Sequence, residues 1–283
     1  MAAQRAAARG RASSPVRSNG GGGARGPRHA SPRVRVIVGV FVLLVGLGFG
    51  LGIAFSKGKK APGIHIAKHL PTVGSDHWAG ALHGAREANA VFQGIPQHGL
   101  VLGKPSAPVE MEMFVDVQCP VCRYYETTYL PAIVRSYVRP RKVQIHLQPW
   151  AFIGGKGSQS FSGRLGLIAA SFQDKGFEYA KVLYDNQGIE DTGWLTDPVM
   201  DQIAASVNGL KLKDWSAGRA GSRAAEIASH VDALAKTDGI GGTPTVLVGP
   251  TGGKLTDIMP TGSTNAPDLQ ITKKALDAAL KTI

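Results

Sequence analysis

From Val109 to Val117 every second residue is apolar (Val109, Met111, Met113, Val115 and Val117), the period of a strand with one face on a core. Phe114 adds a large apolar group on the other face, as in a sheet covered on both sides. Val143, Ile145 and Leu147 alternate in the same way. TVLVG (245–249) and KLTDIM (254–259) read as two more strands, joined by the turn residues Pro250 to Gly253. Residues 119–137 are predicted to be helical, and residues 160–237 carry several helix-like runs. In one of them Asp197 is the expected cap, Pro198 takes the first helical position, and Met200, Ile203, Val207 and Leu210 share a face. Ile227, Val231 and Leu234 repeat that spacing ahead of Gly239, a helix stop. A last amphipathic helix is predicted over 268–282, with Leu269, Leu276 and Leu280 on its apolar side. The order is strand, helix, strand, helical block, strand, strand, helix, which predicts an α/β domain.

Residues 36–55, VIVGVFVLLVGLGFGLGIAF, are apolar all round and carry no charge. A helix of that length spans roughly 30 Å, one hydrocarbon core, so a transmembrane signal-anchor helix is predicted. A cleaved signal peptide competes, but its apolar region is usually about 7–15 residues long, and no small-x-small cleavage site follows Phe55. Residues 1–35 read as a disordered basic tail, which the positive-inside rule puts in the cytoplasm. Residues 56–283 then lie outside, in the periplasm or cell-envelope space. The stretch 56–95 reads as a juxtamembrane linker. It holds His65 and His69 at helical spacing, which invites a metal, although a solvated linker with scattered histidines is the simpler reading.

Charge sharpens this picture. The net charge of +12 suggests nucleic-acid binding until its distribution is considered. Residues 1–60 hold eight Arg, three Lys and no acid, a charge of +11. Residues 61–283 hold the other 21 basic and all 20 acidic residues, a net of +1. The folded part is nearly neutral, and no nucleic-acid partner is expected.

The chain has two cysteines, in Cys119-Pro120-Val121-Cys122, where a predicted strand gives way to a helix. Unpaired N–H groups and the positive end of the helix dipole favour a thiolate there, and cysteines so placed have pKa values of roughly 3.5–7.5. Pro120 suits the first helical turn, where its missing N–H is no loss. Cys122 follows almost one turn later, within disulfide range. The exposed Cys119 is then the attacking sulfur and Cys122 the resolving one. As a structural staple the pair is weak, because so short a loop stabilises by only about 2 kcal/mol. A metal site needs more ligands, from His146 or the linker histidines, and would favour Cu(I). Gly241-Gly242-Thr243-Pro244-Thr245 precedes a strand. A cis Thr243–Pro244 bond would turn the Thr243 backbone towards the cysteines, ready to bind an extended substrate as an added strand.

The two motifs and their order resemble the thioredoxin superfamily, and within it the DsbA-like branch. GIPQHGLVLGKPSAPVEMEMFVDVQCPVC (94–122) is similar to the run leading into the active site of exported members. The resemblance implies a thioredoxin-like fold over 96–283 with a helical insertion at about 157–238, preceded by the single transmembrane helix. It implies that Cys119 is the nucleophile, Cys122 the resolving thiol and Thr243-Pro244 the cis-proline loop. Glu126, seven residues after Cys119, matches an acid that assists proton transfer at the buried cysteine; an ordinary solvated helix acid is the alternative. Asp116 is a lesser candidate for that part. Two departures stand out. The buried acid of thioredoxin would fall at Met113, which moves no protons, and Val121 replaces a histidine of the strongly oxidising founding member. A milder oxidant is expected.

The function implied is disulfide formation in reduced exported proteins, with reoxidation by a membrane partner of the vitamin K epoxide reductase-like type. The Cys119–Cys122 disulfide is the redox group, and no further cofactor is expected. A reductase or isomerase would use the same residues, and a copper-handling protein of the same fold is the alternative from another class.

Overall fold

The computed structural model describes residues 81–259 and 266–283. The predicted tail, membrane helix and most of the linker, with His65 and His69, lie outside them. Among the described residues no helix is long and apolar enough to cross a membrane.

Six strands form one sheet in the order β1-β2-β4-β3-β5-β6. They are β1 (Gln97–His98), β2 (Val101–Leu102), β3 (Val109–Val115), β4 (Val143–Pro149), β5 (Thr245–Pro250) and β6 (Thr256–Asp257). Central β3 runs parallel to β4 (Met111 opposite Ile145) and antiparallel to β5 (Met113 opposite Val246). The parallel pair needs a crossover, supplied by α2 (Pro120–Tyr124) and α3 (Leu130–Ile133). Each runs on into a π-helical segment, Tyr125–Tyr129 and Val134–Val138.

Between β4 and β5 come five helices: α4 (Gln159–Ser171), α5 (Gly176–Asp185), α6 (Asp197–Ala205), α7 (Leu212–Ala220) and α8 (Ser222–Thr237). These are the predicted insertion. Gly239, at φ 67°, allows the chain to turn after α8 in a conformation that a Cβ would strain. The C-terminal α9 (Leu269–Lys281) is capped by Asp268, which accepts the Ile271 N–H at 2.8 Å.

The alternation of β3 has its expected consequence. Val109, Met111, Met113 and Val115 join the main core with Tyr125, Ile133 and Leu276, while Phe114 packs on the other face against Ala235 and Leu247. The sheet is covered on both sides.

Three expectations need correction. Residues 85–92, assigned to the linker, form a helix, α1 (Ala85–Phe92), whose Ala85, Ala88 and Phe92 are buried in the main core. The Phe92 ring lies 5.8 Å from that of Phe177. The run 254–259 is not a full strand: only Thr256–Asp257 pair, and both are exposed, while Leu255 and Ile258 on either side pack against the hydrophobic clusters. The cap of α6 is Thr196, with Asp197 and Pro198 one position further in than expected.

Candidate active site

β3 ends at Val115, and three residues bring the chain to Cys119, which caps α2 in an extended conformation. Its sulfur accepts the backbone N–H of Cys122 at 3.3 Å, the capping bond that Ser or Asp usually makes. Pro120 occupies the first helical position. The Thr243–Pro244 peptide is cis, and the Thr243 carbonyl oxygen accepts from Cys119 Sγ at 3.4 Å. The fold therefore brings together the three predicted elements Cys119, Cys122 and Thr243-Pro244, although 124 residues separate Cys119 from Thr243.

The two sulfurs are inequivalent, although Cys119 is not exposed as expected: it is 6% exposed, and Cys122 is not exposed at all. Both are in the reduced, unbonded form. A hydrogen bond from the Cys122 side chain, aided by the N–H groups of Cys122 and Val121, outweighs burial and lowers the Cys119 thiol to about 6. The Thr243 hydroxyl is buried and makes no well-aligned hydrogen bond, yet its dipole also favours an anion on either sulfur. Cys122 is fully buried, and burial, then the neighbouring Cys119, pushes its thiol up. The backbone N–H of Asp116 reaches its sulfur at 3.5 Å. A ready thiolate thus sits beside a sulfur that resists ionisation.

Glu126 is not a solvated helix acid. It is 1% exposed, its Oε1 has no hydrogen-bond partner, and burial pushes its carboxyl up to about 8, opposed only by Lys181. It lies four residues after Cys122, on the same side of the helix.

Asp116 has a different part. One carboxylate oxygen accepts from the Gln118 N–H at 2.8 Å and the Ser160 hydroxyl at 2.6 Å, and the other from the Ile153 N–H at 2.8 Å. With these partners it ties the loop before Cys119 to α4 and to the segment after β4. Gln187, which no sequence motif marks, donates from its side-chain amide to the carbonyls of Val117 at 2.9 Å and Cys119 at 3.2 Å. The Tyr184 hydroxyl donates to the Asp116 carbonyl at 3.1 Å. Ser160, Tyr184 and Gln187 all come from the insertion, 42 to 70 residues beyond their partners. No local pattern announces such contacts.

Met113 is buried within β3, as thioredoxin's acid would be, and its neighbour Glu112 points to the opposite face, where it accepts from Gln148 at 2.7 Å. His146, the nearer ligand that a copper site would recruit, pairs instead with Glu110 at 3.3 Å. Among the described residues no three His, Cys, Asp or Glu side chains gather as metal ligands.

Residues 96–256 match the family model described as Thioredoxin. The chain belongs to the thioredoxin family. Within it the chain is a DsbA-like thiol–disulfide oxidoreductase. A relative from Bacillus cereus, named probable disulfide bond formation protein D, is 26% identical over 181 residues, 64% of this chain and 78% of that protein. Among solved structures, oxidised BdbD from Bacillus subtilis superposes with a TM-score of 0.54 at 21% identity, over 65% of this chain and 93% of that one. DsbA from Chlamydia trachomatis gives 0.52 at 18% identity, over 65% and 92%. These two likenesses are of fold, helical insertion included.

Proposed function

We propose that this thioredoxin-family chain donates disulfides to reduced exported proteins through Cys119 and Cys122. The observation that carries the reading is the inequality of the two sulfurs. In the oxidised protein a substrate thiolate attacks Cys119 Sγ, and the Cys119–Cys122 bond breaks with its electron pair on Cys122. That sulfur, buried and reluctant to stay charged, takes a proton from Glu126. A second substrate thiolate then attacks the substrate sulfur of the mixed disulfide. Cys119 leaves as a thiolate, which the Cys122 side chain and then the N–H groups at the start of α2 stabilise at neutral pH. The substrate gains a disulfide and the protein holds two reduced cysteines. The Thr243 carbonyl, next to Cys119, is placed to pair with an extended substrate segment. Val121, Tyr124, Phe152 and Ile189 are the exposed large hydrophobics on α2 and on the segments tied to its loop, and they supply a surface for unfolded polypeptide.

The relatives named disulfide bond formation protein D support this direction. The apolar run 36–55 and the basic tail support an anchor with its N-terminus in the cytoplasm and the thioredoxin domain outside. A membrane protein of the vitamin K epoxide reductase-like type would take up the two electrons. Val121 offers no charge to the thiolate, so the potential should be less oxidising than the roughly −120 mV of DsbA. The test is oxidative refolding of a reduced protein by the oxidised domain. Wild type should accelerate it and Cys119→Ala should not; equal rates would refute the proposal.

A further inference from the structure

β3 and β4 run parallel and β5 returns antiparallel, so the chain enters β3 and β4 and leaves β5 at one end of the sheet, while Cys119 follows β3 at the other. The connections at the first end, residues 103–108, 139–142 and 250–254, contain Lys104, Arg139, Arg141, Lys142 and Lys254 and no acid. They form one surface: the Thr251 N–H donates to the Pro108 carbonyl at 3.0 Å, and the Val109 N–H to the Lys142 carbonyl at 3.3 Å. Arg135, on the π-helical segment that leads to Arg139, adds a sixth cation. All six are exposed, and none forms an ion pair with a described residue. Glu110, the second residue of β3, is taken up by His146 at 3.3 Å. The loops at the Cys119 end mix signs instead, with Asp116, Lys156 and Asp238. Residues 61–283 are nearly neutral in sum, so the cationic end stands out by placement and not by composition.

Two clefts cut into this end. One, of about 250 Å³, is lined by Arg135 and Arg139 together with Val91, Pro131 and Val134. Its neighbour, of about 230 Å³, is lined by Lys104, Arg139 and Arg141 together with Ile95 and Pro96. No acid lines either of them. Arg139 belongs to both and is held in place, its guanidinium donating to the carbonyls of Gln93 at 3.1 Å and Val91 at 2.9 Å. Guanidinium groups suit phosphate oxygens. Cations set among apolar side chains suit a phosphate that is attached to hydrocarbon.

We propose that this cationic end of the thioredoxin domain is a docking surface for anionic phospholipid, and that docking turns Cys119 away from the bilayer, towards substrates. The inference rests on the proposed membrane anchor. A helix over 36–55 keeps the domain beside lipid, and residues 56–80 can reach at most roughly 80–90 Å when extended, an ample tether. The length of β3 alone separates the two ends of the sheet by roughly 20 Å, so a docked domain holds its sulfurs clear of the headgroups. Each cation adds to the hold and salt weakens it, so docking is reversible. Release leaves the domain free to turn its sulfurs to a membrane reoxidant.

The experiment places the full chain in nanodiscs of phosphatidylcholine, with or without phosphatidylglycerol. Acetylation by a water-soluble reagent is then read lysine by lysine with mass spectrometry. Lys104, Lys142 and Lys254 report the cationic end. Lys156, after β4, and Lys236, ahead of the cis-proline loop, are exposed towards the other end. Anionic discs should slow acetylation at the cationic end about threefold or more relative to neutral discs, leave Lys156 and Lys236 unchanged, and lose the effect in about 0.5 M salt. The triple variant Arg135→Gln/Arg141→Asn/Lys142→Gln spares the carbonyl bonds of Arg139, and Asn tolerates the positive φ of residue 141. It should lose most of the protection at Lys104 and Lys254, while a small thiol still attacks the oxidised protein at the wild-type rate. Protection of Lys156 and Lys236 instead, equal rates in the two kinds of disc, or protection that the variant retains overturns the proposal. A chain that does not stay with neutral discs refutes the anchor alone, because the pattern on anionic discs still reads the surface.

Discussion

At the scale of single residues, the site depends on two acids and two sulfurs whose surroundings push them apart. The chief influence on Cys119 is the hydrogen bond from the Cys122 side chain, ahead of the backbone donors. Removing that donor should leave a less acidic thiol. In Cys122→Ala the thiolate absorbance near 240 nm should titrate with a midpoint above the wild-type value of about 6, still held below that of a free thiol by the Cys122 and Val121 N–H groups. An unchanged midpoint would mean that the helix end alone sets it. Glu126 makes the opposite case. An unpartnered carboxyl in the core costs roughly 1–3 kcal/mol, and it is kept where a proton is needed. Glu126→Leu should raise the unfolding free energy by about that amount while slowing exchange, because Lys181 retains Asp185 and Glu87. Urea denaturation with thiol-exchange kinetics on the same sample checks both halves.

At the scale of elements, the active-site loop is held by hydrogen bonds that converge on Asp116 and Gln187 from distant helices. Asp116→Ala leaves the Gln118 and Ile153 N–H groups and the Ser160 hydroxyl without their acceptor. A loss of about 2–4 kcal/mol is expected in urea unfolding, for up to three bonds to a charged group net of solvent that enters. A loss under 0.5 kcal/mol would show that the loop holds its shape without them. The sequence announces the elements better than these ties. The strands at 109–117, 143–147 and 245–249 were legible because alternation reports directly on a two-faced sheet. The C-P-x-C and G-T-P motifs were legible because special backbone geometry demands special residues. Helix α1 was missed because its apolar face is short and follows a polar stretch. The π-helical turns after Tyr124 and Ile133 leave no signature in composition. Gln187, Ser160 and Lys181 look like ordinary helix or loop residues until the fold delivers them. Glu126 was found by resemblance, but its burial follows from α5 packing across it, which no local pattern reveals.

At the scale of the whole molecule, these ionisations make fold stability depend on redox state and pH together. In the reduced protein Cys119 titrates near 6, against an ordinary 9.0. A depressed acid adds stability that is fully present above about pH 9 and is lost as pH falls through 6. Within that window the gain approaches 1.4 kcal/mol per pH unit. Cys122 is raised, so it is a thiol in both folded and unfolded chains below about pH 8 and adds no slope there. Glu126 has the opposite sign: raised from 4.5 to about 8, it stabilises below about pH 4.5 and gives that up as pH rises through 8. Glu126 is present in both redox forms, whereas the thiolate exists only in the reduced one. To first order, the reduced-minus-oxidised difference in stability cancels Glu126 and reports Cys119 alone. That difference should grow from pH 5 to pH 8 and level off near 9, in favour of the reduced form. Over the same range the oxidised form should lose stability, and Glu126→Leu should reduce that loss without altering the difference, the remainder belonging to Glu112, Asp116 and Asp185, which burial also raises. Melting temperatures of both forms across five pH values test this. A difference that stays flat between pH 5 and 8 would mean that Cys119 is not held as a thiolate, and the molecule would then lack the free-energy bias that lets a reduced thioredoxin domain leave its disulfide on a substrate.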